Sequence, residues 1–155
     1  RVWLWQSWRE NIEGILIWNT TWWTSNLAYP DLDRPQNPYL DTTAWSPRYP
    51  GVGNSNGDGR FFYPPAHACE AFDAGRKIGP VIERPVETIR LEYVRDGIED
   101  FEYFVMLRKL DPANPLLKVP PEVSASPTEF SIDPIHMERH REKIAREIER
   151  LSGRR

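Results

Sequence analysis

The sequence predicts an α/β fold, the C-terminal fragment of a (β/α)8 barrel of the TIM type, with the last two strands, a closing helix and a tail helix. Two short runs, 15–18 and 60–63, are interpreted as strands buried on both faces, and a long helix follows at 88–110. Because two strands do not make a stable sheet alone, they need neighbours that this chain does not supply. A small open α/β sheet is the alternative.

The first elements are an amphipathic helix and a strand. Over residues 1–12, apolar side chains recur at the spacings of one helix face, at Leu4, Trp5, Trp8 and Ile12. Gly14 then precedes the run Ile15-Leu16-Ile17-Trp18, which predicts a buried parallel strand. Together they predict an α-then-β unit.

Loops rich in proline and glycine separate the later elements. Residues 24–59 show no periodicity, and a loop of that length in a compact domain is usually functional. Pro64 ends strand 60–63. The apolar face predicted for helix 88–110 consists of Ile89, Leu91, Val94, Ile98, Phe101, Val105 and Leu107. The predicted organisation is a barrel portion at 1–110, a Pro-rich linker at 111–134 and a C-terminal charged helix at 135–155.

Composition restricts the partners. The chain has 155 residues and a net charge of −3, so no basic surface indicates nucleic acid or an anionic membrane. No apolar run approaches the roughly 20 residues that a membrane helix needs. The single cysteine, Cys69, excludes an internal disulfide and leaves the compartment open. The chain begins inside a predicted helix and without Met, so we interpret it as a fragment or a processed product.

A candidate binding site follows strand 15–18. Asn19, Trp22 and Trp23 come just past its end, where barrels and open α/β folds hold ligands. An indole stacks on the C–H face of a sugar, and an amide satisfies its hydroxyls. The alternative is that these residues close the end of a hydrophobic core. The full set predicted to bind substrate is Trp18, Asn19, Trp22, Trp23, Trp45, Tyr63 and Arg90.

Several motifs together resemble a known family. They are Trp-x-x-Trp-Arg at 5–9, Glu-Gly-Ile-Leu-Ile-Trp-Asn at 13–19, Asn-Gly-Asp-Gly at 56–59 with Tyr63-Pro64, Thr-Ile-Arg-Leu-Glu at 88–92 and Arg-Asp-Gly-Ile-Glu-Asp-Phe-Glu-Tyr at 95–103. They resemble the C-terminal part of the catalytic domain of glycoside hydrolase family 123, also described as domain of unknown function 4091. The resemblance covers nearly the whole chain.

This resemblance implies a β/α barrel that releases N-acetylgalactosamine from β-linked glycans. It also implies that the substrate's own acetamido group is the nucleophile, assisted by an adjacent Asp-Glu pair. Nothing in this chain matches that pair, so its catalytic residues stay unknown. The implied partners are the glycan substrate and the N-terminal remainder of the barrel.

The local carboxylates and histidines do not predict catalysis or metal binding. The loop aspartates fit turns beside proline and glycine, and the charges of 95–100 fit a structural network. The stretch 54–59 imitates a calcium loop, but Pro65 stands where a bidentate Glu belongs. His136 and His140 do not have the zinc-protease order.

The sequence therefore predicts a fragment of a glycosidase acting on β-linked N-acetylhexosamine glycans. It contributes binding aromatics, uses no cofactor or metal, and is inactive alone. The alternatives are a non-catalytic carbohydrate-binding relative and a structural or interaction module.

Overall fold

The computed structural model describes residues 1–23, 36–44, 56–65 and 84–153. Its elements are helix α1 at Val2–Arg9, strand β1 at Phe62–Tyr63, strand β2 at Val86–Glu87, helix α2 at Ile89–Leu110, a short 3-10 helix at Pro115–Leu117 and helix α3 at Ile135–Ser152. The chain divides into two compact units. The helical unit comprises Arg1–Ile15 and Tyr93–Arg155, and the loop-rich unit comprises Leu16–Glu92.

The structure contradicts the predicted barrel fragment. Residues 15–18 form no strand, and Leu16 is 80% exposed and Trp18 51% exposed. Strand β1 pairs with β2 in an antiparallel two-stranded sheet, with Phe62 opposite Glu87. As the last two strands of the predicted barrel, 15–18 and 60–63 would be neighbouring parallel strands. That expectation is wrong, and the described residues form a small α-rich fold instead. A short apolar run is compatible with several structures, and here it has no strand to pair with among the described residues.

The sequence after Arg9 explains why helix α1 ends there. Leu4 and Trp5 are buried, as its amphipathic pattern predicts. Asn11 adopts a φ of +53°, which few residues other than Gly and Asn tolerate. The Asn11 N–H donates to the Trp8 carbonyl (3.2 Å) and the Ile12 N–H to the Ser7 carbonyl (2.8 Å), which is a Schellman motif. Ile12 therefore lies beyond the helix and is exposed, contrary to the prediction.

The core of the helical unit is a cluster of aromatic and aliphatic side chains. The Trp5 and Phe104 rings meet edge to face at 5.0 Å, and Trp8 stacks on Phe104 at 5.0 Å. Residues 111–134, the predicted Pro-rich linker, belong to the helical unit and contribute Val119 and Val123 to its core. The buried apolar residues of this core are Trp5, Phe104, Leu107, Val119, Val123, Met137 and Ile144.

Helix α2 begins within one residue of its predicted start and ends at the predicted residue. Its apolar face agrees with the prediction only in part. Leu107 is buried as predicted and Phe104 is buried without having been predicted, while Ile89 and Ile98 are exposed. Gly97 is buried under Leu4, and a Cβ there would lie 2.9 Å from the Leu4 side chain. Helices α1 and α2 therefore approach each other closely at this glycine.

No helix in the described part of the chain is long and apolar enough to cross a membrane.

Asp100 joins the three helices. Its carboxylate is almost fully buried and accepts from Arg1 Nε (2.6 Å) and Trp5 Nε1 (2.8 Å), and Arg141 Nε lies 3.2 Å away. A buried carboxylate is stable only when it is paired and hydrogen-bonded, and Asp100 is both. Asp100 thus has the structural role expected for the charges of 95–100.

Candidate functional site

The loop-rich unit is organised around Arg60, whose side chain is fully buried. Its Nε donates to the Trp22 carbonyl (2.8 Å), and its Nη2 donates to Gln36 Oε1 (2.7 Å) and the Thr43 carbonyl (3.1 Å). Nη1 donates to the Asp41 carbonyl (3.3 Å). Burial lowers the pKa of Arg60, yet a guanidinium stays protonated in a folded protein. The donors of the planar Arg60 guanidinium therefore connect its own segment to Trp22 and to the segment 36–43.

The indoles of Trp18 and Trp22 lie beside Arg60 and its hydrogen-bond partners. The Trp18 and Trp22 ring centroids are 4.7 Å apart, with the ring planes at 77°. Both contact Gly59, where a Cβ would lie 2.9 Å from Trp18 Cζ2 and 3.0 Å from Trp22 Cβ. Gly59 also has a φ of +68°, which a side chain disfavours. Only glycine therefore allows the two indoles to sit this close to the backbone.

The Trp22 backbone is fixed from both sides. Its N–H donates to the Gly59 carbonyl (2.8 Å), and its carbonyl accepts from Arg60. Trp22 is partly buried, whereas about half of Trp18 is exposed. The Trp18–Trp22 pair thus presents one indole to solvent on a supported backbone.

Two more predicted aromatics lie along strand β1. Trp23 Nε1 donates to the Phe62 carbonyl (2.7 Å), so its polar group is used within the fold. The Tyr63 ring meets Tyr39 edge to face at 5.1 Å, and the Tyr39 hydroxyl donates to the Pro64 carbonyl (2.7 Å). Trp23 and Tyr63 are both partly buried, which makes them less accessible than Trp18.

The two polar residues of the predicted set each make a local contact. Asn19 Oδ1 accepts from the Thr21 N–H (2.9 Å), which forms an Asx turn. Arg90 Nη2 donates to the Asn56 carbonyl (2.8 Å), and its guanidinium packs against Gly57, which has a φ of +73°. The latter contact joins the start of α2 to the loop before β1.

The structure brings Trp18 and Trp22 into contact and links Trp23 to the strand that carries Tyr63. Trp45 lies outside the described residues. Arg60 is the important residue that sequence reasoning missed, because its acceptors come from residues 17 to 38 positions away. The only local signal is its place directly after the glycine-rich turn 56–59.

The described residues include one loop aspartate with a turn contact, Asp41, and part of the motif that resembles a calcium loop. Asp41 Oδ1 accepts from the Thr43 N–H (2.9 Å), as expected for a turn. Asp31, Asp33 and Cys69 lie outside the described residues. Within residues 1–23, 36–44, 56–65 and 84–153, no group of three or more His, Cys, Asp or Glu side chains is placed to hold a metal ion.

Comparison of the chain with protein-family models, with curated proteins and with solved structures gives no match.

Proposed function

We propose that the loop-rich unit binds a glycan and that Trp18 is the surface on which a sugar ring stacks. The supporting observation is that Trp18 is 51% exposed while its ring is held edge-on by Trp22 and backed by Gly59. A half-exposed indole that is already fixed loses little conformational entropy when a ligand binds. Its flat apolar face suits the C–H face of a pyranose ring.

The proposed ligand class is a glycan with β-linked N-acetylhexosamine, N-acetylgalactosamine in the first place. The motif resemblance to glycoside hydrolase family 123 supports this choice. Asn19 lies next to Trp18 and carries an amide that both donates and accepts hydrogen bonds, as an acetamido group requires. We place this chain in a glycosidase to which it contributes binding aromatics.

A purely carbohydrate-binding role is the second candidate. It is supported by the lack, in this chain, of residues that match the Asp-Glu pair of the family that the motifs resemble. Both candidates predict that the chain alone does not hydrolyse a chromogenic β-N-acetylgalactosaminide. Turnover well above that of a boiled sample would contradict both.

The decisive experiment is titration of the full chain with N-acetylgalactosamine and its β-linked disaccharides by calorimetry. Trp18→Ala is expected to weaken binding about tenfold or more, since an aromatic contact contributes on the order of 1–3 kcal/mol. Trp3→Ala is the matched control, because Trp3 is 41% exposed but belongs to helix α1 of the helical unit.

Binding that survives Trp18→Ala unchanged would contradict the assignment of the stacking surface. A lower melting temperature of the Trp18→Ala variant with unchanged affinity would show that Trp18 is a core residue. No binding of any of these sugars to the unaltered chain would contradict the proposed function itself.

A further inference from the structure

A cavity of about 320 Å³ opens on the helical unit, and none of the residues predicted to bind substrate lines it. Helix α3 supplies one wall, with side chains spaced three, four and seven residues apart and therefore on one helix face. The segment after the 3-10 helix supplies the other wall. The lining residues used below are Glu122, His136, Arg139, His140 and Lys143.

The two cations of this cavity, Arg139 and Lys143, are not paired with any residue that the structure describes. Arg139 and Lys143 make no hydrogen bond or ion pair with any residue in the described ranges. They are also one helical turn apart, a like-charge arrangement that slightly destabilises a helix. The cations of α3 that lie outside the cavity are all paired with carboxylates: Arg141 with Glu99 and Asp100, Arg146 with Glu142, and Arg150 with Glu147.

The remaining groups set the charge and polarity of the cavity. His140 is 7% exposed, and burial lowers its pKa, so it is neutral near pH 7. Its Nε2 donates to the Leu116 carbonyl (2.9 Å), because a carbonyl only accepts. Glu122 contributes one negative charge against the two positive charges of Arg139 and Lys143. The walls therefore carry a net charge of about +1 at neutral pH.

We propose that this cavity binds a hydroxylated monocarboxylate, the class to which sugar acids belong. The guanidinium of Arg139 matches a carboxylate in a bidentate geometry, and Lys143 adds a second charge-assisted contact. Glu122 accepts from hydroxyl groups of the same ligand. A ligand with one negative charge balances the net charge of the walls. A phosphate dianion carries a further negative charge, which the Glu122 carboxylate repels. The volume suits a ligand of monosaccharide size.

The test is calorimetric titration of the full chain at low ionic strength with glucuronate, glucose and inorganic phosphate. Glucuronate is expected to bind, glucose to give no binding heat, and phosphate to bind more weakly than glucuronate. The double substitution Arg139→Gln with Lys143→Gln is expected to weaken glucuronate binding by about tenfold or more. Arg146→Gln, which removes a paired cation from the same helix, is expected to leave the affinity unchanged.

Three results would overturn the proposal: equal binding of glucose and glucuronate, tighter binding of phosphate than of glucuronate, or unchanged affinity in the double variant. Circular dichroism verifies that the variants fold, which is expected because Arg139 and Lys143 are exposed. Should the double variant unfold, Glu122→Gln decides, since loss of its carboxylate must strengthen phosphate binding relative to glucuronate binding. Trp18→Ala must leave glucuronate binding unchanged, which separates this site from the proposed glycan surface.

Discussion

At the scale of the residue, Gly59 is the position on which the Trp18–Trp22 pair depends. Two independent constraints exclude a side chain there, its φ of +68° and the 2.9 Å from a hypothetical Cβ to Trp18 Cζ2. Each constraint alone costs on the order of 1–3 kcal/mol. The presence of glycine is therefore a requirement of the indole packing.

Gly59→Ala is consequently expected to lower the free energy of unfolding by at least about 1 kcal/mol and to weaken glycan binding, because Trp18 must move. Urea unfolding and calorimetry measure the two effects. Gly14→Ala is the matched control, since a Cβ at Gly14 would meet no atom within 4 Å. Equal stability of the two variants would show that the indoles adapt to a side chain at position 59.

Arg60 shows which part of the candidate site the sequence could not predict. The aromatic residues were recognisable as candidates because indoles cluster after an apolar run, and Trp18 and Trp22 do meet. An arginine is rarely buried, and three of the acceptors of Arg60 are backbone carbonyls, which come into position only when the loops fold. No local pattern of residue types encodes such a contact.

At the scale of the element, the helices were predictable, whereas of the two predicted strands only the end of 60–63, which is β1, is a strand. Helices α2 and α3 carry continuous periodic or charged sequences, and their bounds agree closely with the predicted ranges. Strand pairing depends on register and direction, which residues 15–18 and 60–63 do not specify. The barrel was inferred from two runs interpreted as strands buried on both faces. It implied that these runs are parallel neighbours, which the irregular structure of 15–18 and the antiparallel pairing of β1 with β2 contradict.

Helix α2 carries the carboxylate that holds the helical unit together. Asp100→Asn removes the charge that Arg1 and Arg141 pair with, while the side chain keeps its size. Breaking a buried pair from one side removes the carboxylate that the Arg1 guanidinium contacts, so a loss of about 3 kcal/mol of unfolding free energy is expected, although Arg141 keeps its pair with Glu99. Chemical denaturation followed by circular dichroism measures this loss.

Glu99→Gln is the control for that prediction, because Glu99 pairs with the same Arg141 at 3.3 Å but is exposed. Exposed pairs contribute about 0–1 kcal/mol, so its effect is expected to be small. Similar losses in the two variants would mean that burial of Asp100 adds nothing to the strength of its pairing.

At the scale of the whole molecule, the two compact units stabilise themselves by different means. The helical unit buries an aromatic core and one charge cluster. The described part of the loop-rich unit depends on a buried guanidinium, turns and a two-residue antiparallel pairing. Acid is expected to act differently on these two arrangements, since a guanidinium does not titrate near neutral pH but a buried histidine does.

His140 makes the helical unit sensitive to acid. Burial lowers its pKa from the usual value of 6.5, with Lys143 acting in the same direction and the Leu116 carbonyl and Glu122 opposing. As the pH falls below 6.5, the unfolded chain binds a proton that folded His140 still excludes. Unfolding is then favoured by up to about 1.4 kcal/mol for each pH unit, until the folded pKa is reached. Above pH 6.5 this contribution to stability is fully present.

The measurement is the melting temperature between pH 7.5 and 5 for the unaltered chain, His140→Gln and His136→Gln. Other groups titrate over the same range, so the difference between the chains isolates His140. His140→Gln is expected to flatten the fall in melting temperature below pH 6.5. His136→Gln, one turn earlier on α3, is expected to keep the fall, because His140 and its contacts with Leu116 and Trp5 remain. An identical fall in all three chains would mean that folded and unfolded His140 bind protons equally well.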